Sequence, residues 1–190
     1  SLPLALPLAT RGSALARWEK TRQPTRYYAQ PPGEAGFGLV EEVFAAVAGD
    51  YLGFTRRPSP FAPLREGIRL EDILILWDNR RPVGYVLTAQ ERGLLRIKEL
   101  VACMDVDAAE AVAAVTALVK TDFIQVNLSR PAEAASLERS GFRVTRRGYE
   151  TFLLKPLEPG LSPTDARRLF DIGGDRFLIS WLDLTGGVNY

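Results

Sequence analysis

The sequence predicts an α/β (α+β) domain: a mixed, mostly antiparallel twisted sheet of six to seven strands, with helices on both faces. Three observations predict it. Between Ile73 and Cys103, three apolar stretches are separated only by the turn segments Asp78–Pro82 and Glu91–Gly93, the pattern of an antiparallel meander. On either side of this block, apolar residues recur at helical spacing: Leu39, Val40, Val43, Phe44 and Val47 before it, Val112, Val115, Leu118 and Val119 after it. Further strand-like stretches lie outside each helix, so strands and helices intermix along the chain. At 190 residues and 46% hydrophobic, the chain has enough material for the core of one domain.

In chain order, residues 1–24 show no clean period and read as a lead-in to a domain spanning 25–157. The apolar start, Leu2–Ala9, is short, broken by proline and lacks a basic leader, so it does not read as a signal peptide. The only methionine is Met104, so residue 1 is not an initiator, as in a chain cut from a longer protein. Thr25–Gln30 predicts a first strand, ended by Pro31-Pro32-Gly33. Phe37–Asp50 predicts a helix, and Pro58–Glu66 a short second one. Ile73–Trp77, Val83–Gln90 and Leu94–Cys103 are the meander. Asp107–Lys120 predicts a helix with Asp107 as N-cap and Glu110 as its capping-box partner. Asp122–Leu128 predicts a strand, and Pro131–Arg139 a short helix with Pro in its first turn and Gly141 just past its end. Phe142–Arg146 and Tyr149–Lys155 predict a hairpin turning at Arg147-Gly148. The tail, 158–190, predicts a helix capped by Ser162–Asp165 and a strand over Arg176–Leu184.

Composition excludes several functions. Without histidine, the chain has no histidine triad, no histidine base and none of the common zinc sites, so no metal is expected. Cys103 is the one cysteine; no internal disulfide can form, which fits a reducing cytoplasm. A net charge of +1 implies no bulk attraction to nucleic acid or anionic membrane. No apolar run approaches the ~18 residues that span a bilayer.

One stretch breaks its own rhythm. Leu95 and Ile97 alternate with Arg96 and Lys98, as in a half-buried strand. Glu99 then falls where an apolar residue is due, and Leu100, Val101 and Ala102 are all apolar. One extra residue there, a β-bulge, restores two faces. A strand buried on both sides is the other reading.

Arg81-Pro82-Val83-Gly84-Tyr85-Val86, Ile97-Lys98-Glu99-Leu100-Val101-Ala102 and Leu137-Glu138-Arg139-Ser140-Gly141-Phe142 occur in the order and spacing of the GNAT (N-acetyltransferase) superfamily. The chain resembles that family over roughly residues 25–157. The resemblance implies acyl transfer from acetyl-CoA to a primary amine of a small molecule or peptide. It also implies a bulge that splays the fourth and fifth strands. Backbone groups of Leu100, Val101 and Ala102 would then face the acyl arm, and Glu99 would be the candidate general base. For Glu99, the alternative is a strand carboxylate paired with Arg96 or Lys98, or solvated. For Leu100–Ala102 it is plain core.

Two departures stand against activity. Where the family carries a Gly-rich basic loop for the coenzyme diphosphate, this chain has Met104-Asp105-Val106-Asp107-Ala108-Ala109-Glu110, with no glycine, no cation and three carboxylates. Where the family places a tyrosine acid, it has Leu137, with Ser136 the nearest hydroxyl. These departures imply a second possibility: a non-catalytic GNAT-like domain, an interface or ligand-binding module, such as the degenerate half of a tandem protein or a homodimer joined through its tail (Leu178, Ile179, Trp181, Leu182). Cys103 reads as a small hydrophobe rather than a nucleophile. Arg143, Arg146 and Arg147 form a basic patch that binds phosphate or simply solvates a turn. Arg56-Arg57 reads as surface. Trp77, Phe152 and Trp181 read as core or interface aromatics.

Overall fold

The computed structural model describes residues 4–7, 12–52, 69–146, 151–154, 162–169, 171 and 174–176. Its elements in chain order are β1 (Leu4–Pro7), β2 (Gly12–Arg17), β3 (Tyr27–Gln30), α1 (Gly36–Ala48), β4 (Ile73–Asp78), β5 (Arg81–Glu91), β6 (Leu94–Ala102), α2 (Ala108–Thr116), β7 (Phe123–Leu128), α3 (Pro131–Arg139), β8 (Arg143–Arg146), β9 (Thr151–Leu154) and α4 (Pro163–Leu169). Seven strands form one sheet in the order β3-β4-β5-β6-β7-β2-β8. Only β6 and β7 run parallel; every other neighbouring pair in it is antiparallel.

The sheet separates two cores. On β4, Ile73 and Ile75 pack with α1, whereas Leu74 and Leu76 pack with α2 and α3 on the opposite face. This explains the unbroken apolar run Ile73–Leu76: a central strand covered on both sides has no polar face. The turn into β5 passes through Asn79 at φ 56°, and the turn into β6 through Gly93 at φ 68°, left-handed positions suited to these residue types.

The break in alternation on β6 is a bulge. Leu87 pairs with Glu99 but Thr88 pairs with Ile97, so Lys98 is the extra residue. Leu95, Ile97, Leu100 and Ala102 thereby all face the α2 side, while Val101 packs with Tyr85 and Leu87 on the α1 side. Beyond the bulge the sheet also opens. Pairing between β6 and β7 runs from Leu94–Phe123 to Ile97–Val126 and stops, although both strands continue.

Three expectations are corrected. Residues 12–17, inside the stretch read as a lead-in, form β2, inserted between β7 and β8. Its small residues Ala14 and Ala16 are buried against the α2–α3 face. Among the described residues β8 and β9 do not pair with each other as the expected hairpin requires: β8 pairs with β2, and β9 pairs with β1. Both ladders share one register, since Leu4 faces Leu154, Pro7 faces Thr151, Gly12 faces Arg146 and Leu15 faces Arg143. Local period could not choose between a neighbour in sequence and a ribbon from the opposite end of the chain. Third, α2 ends at Thr116 rather than Lys120. The Trp18 indole Nε1 donates to the carbonyls of Thr116 (3.1 Å) and Val119 (2.7 Å), satisfying groups a longer helix would use internally.

Other elements follow expectation. Asp107 caps α2, although no reciprocal bond from Glu110 is formed among the described residues. Gly141 at φ 85° follows α3, with Phe142 N–H on the Leu137 carbonyl at 3.0 Å. Ser162 and Asp165 cap α4 reciprocally. The helix expected over Pro58–Glu66, Arg56-Arg57, Arg147 and the strand expected after Arg176 lie outside the described residues.

Candidate functional site

The opening between β6 and β7 interrupts the central sheet just beyond the β6 bulge, and the site is built around it. Two β6 carbonyls face it. Lys98 C=O accepts from Asn127 Nδ2 at 3.2 Å, at the point where the ladder stops. Ala102 C=O accepts from the Tyr51 hydroxyl. Tyr51 arrives there because α1 ends in a tight turn, with Asp50 and Tyr51 N–H on the Val47 and Ala48 carbonyls.

Arg130 reaches the same place from the far side. It follows β7 and precedes Pro131, whose missing N–H and fixed φ suit the first position of α3. Its Nη1 donates to the Tyr51 oxygen at 2.7 Å and its Nε to Glu133 Oε1 at 2.8 Å. Glu133 Oε2 in turn accepts the Ser129 and Arg130 backbone N–H groups at 2.8 and 3.1 Å. Arg130 and Glu133 are each only 3% exposed, so both charges are compensated inside the protein. Burial pushes the Tyr51 phenol far above its ordinary range, against the pull of Arg130. Burial opposes the charge on Arg130, but Glu133 and Tyr51 outweigh it and hold the guanidinium above its usual value. Tyr51, Arg130 and Glu133 thus plug the opening.

Beside the plug lies the start of α2. Asp107 Oδ1 accepts the N–H groups of Ala109 (2.9 Å) and Glu110 (3.2 Å), and Ser136 Oγ lies 2.8 Å from both Asp107 oxygens. Ala109 N–H also points to Ser136 Oγ at 3.1 Å. Two amides of the first turn, those of Ala109 and Glu110, belong to the groups that bind an external anion and are engaged by side chains. A cavity of about 200 Å³ adjoins, lined by Met104, Asp105, Asp107, Arg130, Ser136 and Arg139 among others. Asp105 is 4.0 Å from Arg26.

Glu99 sits elsewhere. It is 2% exposed and accepts a hydrogen bond from the Tyr85 hydroxyl at 2.5 Å, so the solvated alternative does not apply. Arg96, one of its suggested partners, lies 3.4 Å from Glu91. Leu100, Val101 and Ala102 pair with Val86, Tyr85 and Gly84 on β5, and their side chains are core. Cys103 is half-buried; burial raises its thiol above the ordinary value. Leu137 is fully buried in the α2–α3 core. Trp77 stacks on Tyr28 with ring centres 6.3 Å apart. Arg143 is exposed on the edge strand β8. Among the described residues, no group of three or more Asp, Glu or Cys side chains is placed to hold a metal ion, and no helix is long and apolar enough to cross a membrane.

Sequence reasoning missed Tyr51, Arg130 and Glu133. The pattern Arg-Pro-x-Glu marks a helix start, with Pro at the first position and Glu at the third. Nothing local says that its arginine is buried.

Neither a protein-family model nor a curated protein sequence matches the chain. Solved structures do. The chain aligns with a conserved protein of unknown function from Enterococcus faecalis V583, described as a probable N-acyltransferase (TM-score 0.54, 13% identity, 77% of this chain and 40% of that one). It aligns with a functionally unknown conserved protein from Staphylococcus epidermidis ATCC 12228 (0.51, 13%, 72% and 58%). A GCN5-related N-acetyltransferase from Sphaerobacter thermophilus aligns less closely (0.48, 15%, 82% and 54%). The fold is GNAT-like. The chain spans about half the length of these structures.

Proposed function

We propose that this chain is a GNAT-fold domain whose coenzyme slot is closed from within, and that it serves a longer protein as an interface or substrate wall rather than as an acetyltransferase by itself. One observation carries the reading: a chain of hydrogen bonds runs from the Ala102 carbonyl on β6 through Tyr51 to Arg130 and Glu133 beyond the end of β7. A pantetheine arm would have to displace a buried, hydrogen-bonded ion pair. The diphosphate end fares no better, because Asp107 and Ser136 hold the Ala109 and Glu110 amides of α2 and Asp105 adds a further carboxylate. A carboxylate ~4 Å from a phosphate repels it by about 1–4 kcal/mol, depending on exposure. The residues present therefore do not fit coenzyme A. The chain covers 58% and 40% of two neighbouring structures, which supports a role within a larger assembly, with a second GNAT domain or a second copy as partner.

One observation favours the other reading, transfer of an acetyl group to a primary amine with Glu99 as base. The buried Tyr85–Glu99 pair adjoins the bulge, where a carboxylate could take a proton. Calorimetric titration of the full chain with acetyl-CoA decides between them. The closed slot predicts no binding up to millimolar coenzyme. Saturable binding below that concentration, with amine acetylation abolished in Glu99→Gln, would restore the acetyltransferase.

A further inference from the structure

After α4 the chain returns to the plug. Asp171, at φ 49°, turns it, with Gly174 N–H on the Asp171 carbonyl (2.8 Å) and Arg176 N–H on the Asp171 carboxylate (3.1 Å). The turn presents two acceptors. Asp175 Oδ1 takes the N–H of Ala132 at 2.7 Å, in the first turn of α3 and two residues past Arg130. The Arg176 carbonyl takes the N–H of Leu52 at 2.7 Å, one residue past Tyr51. These two segments deliver the two halves of the plug, and among the described elements they are joined otherwise by the Arg130–Tyr51 bond itself. Asp175 also adds negative potential that favours the Arg130 charge.

We propose that Asp175 and Arg176 form a strap that latches the Tyr51–Arg130–Glu133 plug, making closure of the slot conditional on the tail. The proposal rests on the closed-slot reading. The physical logic is that the end of α1 and the start of α3 are remote in sequence and each is a chain terminus of a helix, where amides fray first. A bridge spanning both suppresses their opening together. A lone cap on α3 would protect Ala132 only.

Amide exchange of the full chain, followed by NMR, tests this. In Asp175→Ala the amides of Ala132 and Leu52 are expected to exchange together, about tenfold faster or more, the loss of one charge-assisted hydrogen bond. Asp175→Asn, which keeps an acceptor oxygen, restores most of the protection. Faster exchange at Ala132 with Leu52 unchanged makes Asp175 a simple helix cap and overturns the strap. If Asp175→Ala loosens the whole chain, Asp171→Gly removes only the carboxylate that shapes the turn and keeps its left-handed backbone. That variant must then accelerate Leu52 and Ala132 together, and unchanged rates overturn the strap. Coenzyme binding by the unaltered chain speaks against the closed slot alone, so the two readings fail separately.

Discussion

The phenolic oxygen of Tyr51 bridges the Ala102 carbonyl at the end of β6 and the Arg130 guanidinium at the start of α3. This single atom joins segments 28 and 51 residues apart, across a gap where strand pairing has ceased. Tyr51→Phe keeps the ring and removes both bonds, leaving a buried carbonyl and part of a buried guanidinium unsatisfied. The expected loss is about 1–3 kcal/mol, read as a lower urea midpoint with unchanged slope.

Arg130 and Glu133 are expected to behave as one unit. Arg130→Met strands a buried carboxylate and costs about 3–5 kcal/mol. Glu133→Gln keeps an acceptor for the Ser129 and Arg130 amides but loses the charge pairing. The double variant should recover much of the loss, with a coupling of about 1 kcal/mol or more in a denaturation cycle. Strict additivity would contradict a shared plug.

Gly84 belongs to the Pro-Val-Gly sequence at the start of β5, and the structure gives a reason for it. A Cβ there would lie 2.6 Å from Ala102 Cβ and 2.7 Å from its Cα, and would collide with the Val101 carbonyl. Gly84→Ala must push β6 outward beside the plug. The expected cost is about 1–3 kcal/mol, visible as a lower melting temperature and shifted amide resonances at Val101–Cys103.

Cys103 tests burial through pH. Its raised thiol leaves less thiolate at any pH below the folded value than a free cysteine would have. Alkylation by iodoacetamide at pH 8 should therefore be slower in the folded chain than after denaturation, and should keep accelerating above the pH where the denatured chain levels off. Equal rates in both states would contradict the shift.

The legible part of this protein lay in β6. Leu95, Ile97, Glu99 and Leu100 carry two alternations out of phase, and an extra residue is the cheapest way to reconcile them; Lys98 is that residue. Pro131 and Gly141 likewise marked α3 within its own stretch of chain. Glu99 was legible as a misplaced carboxylate, but its partner Tyr85 depends on strand register and was not.

The sequence by itself determined the periods and the two turns of the meander and narrowed β6 to a bulge or a doubly buried strand, because each of these depends on residues close together in the chain. Only the tertiary structure decided that Gly12–Arg17 enters the sheet between β7 and β8, that β8 and β9 pair with the opposite end of the chain, and that Tyr51 and Arg130 meet over Ala102. Those outcomes turn on burial and hydrogen-bond satisfaction between distant segments. A backbone donor, a phenol or a guanidinium carries no local mark of which remote carbonyl it will meet.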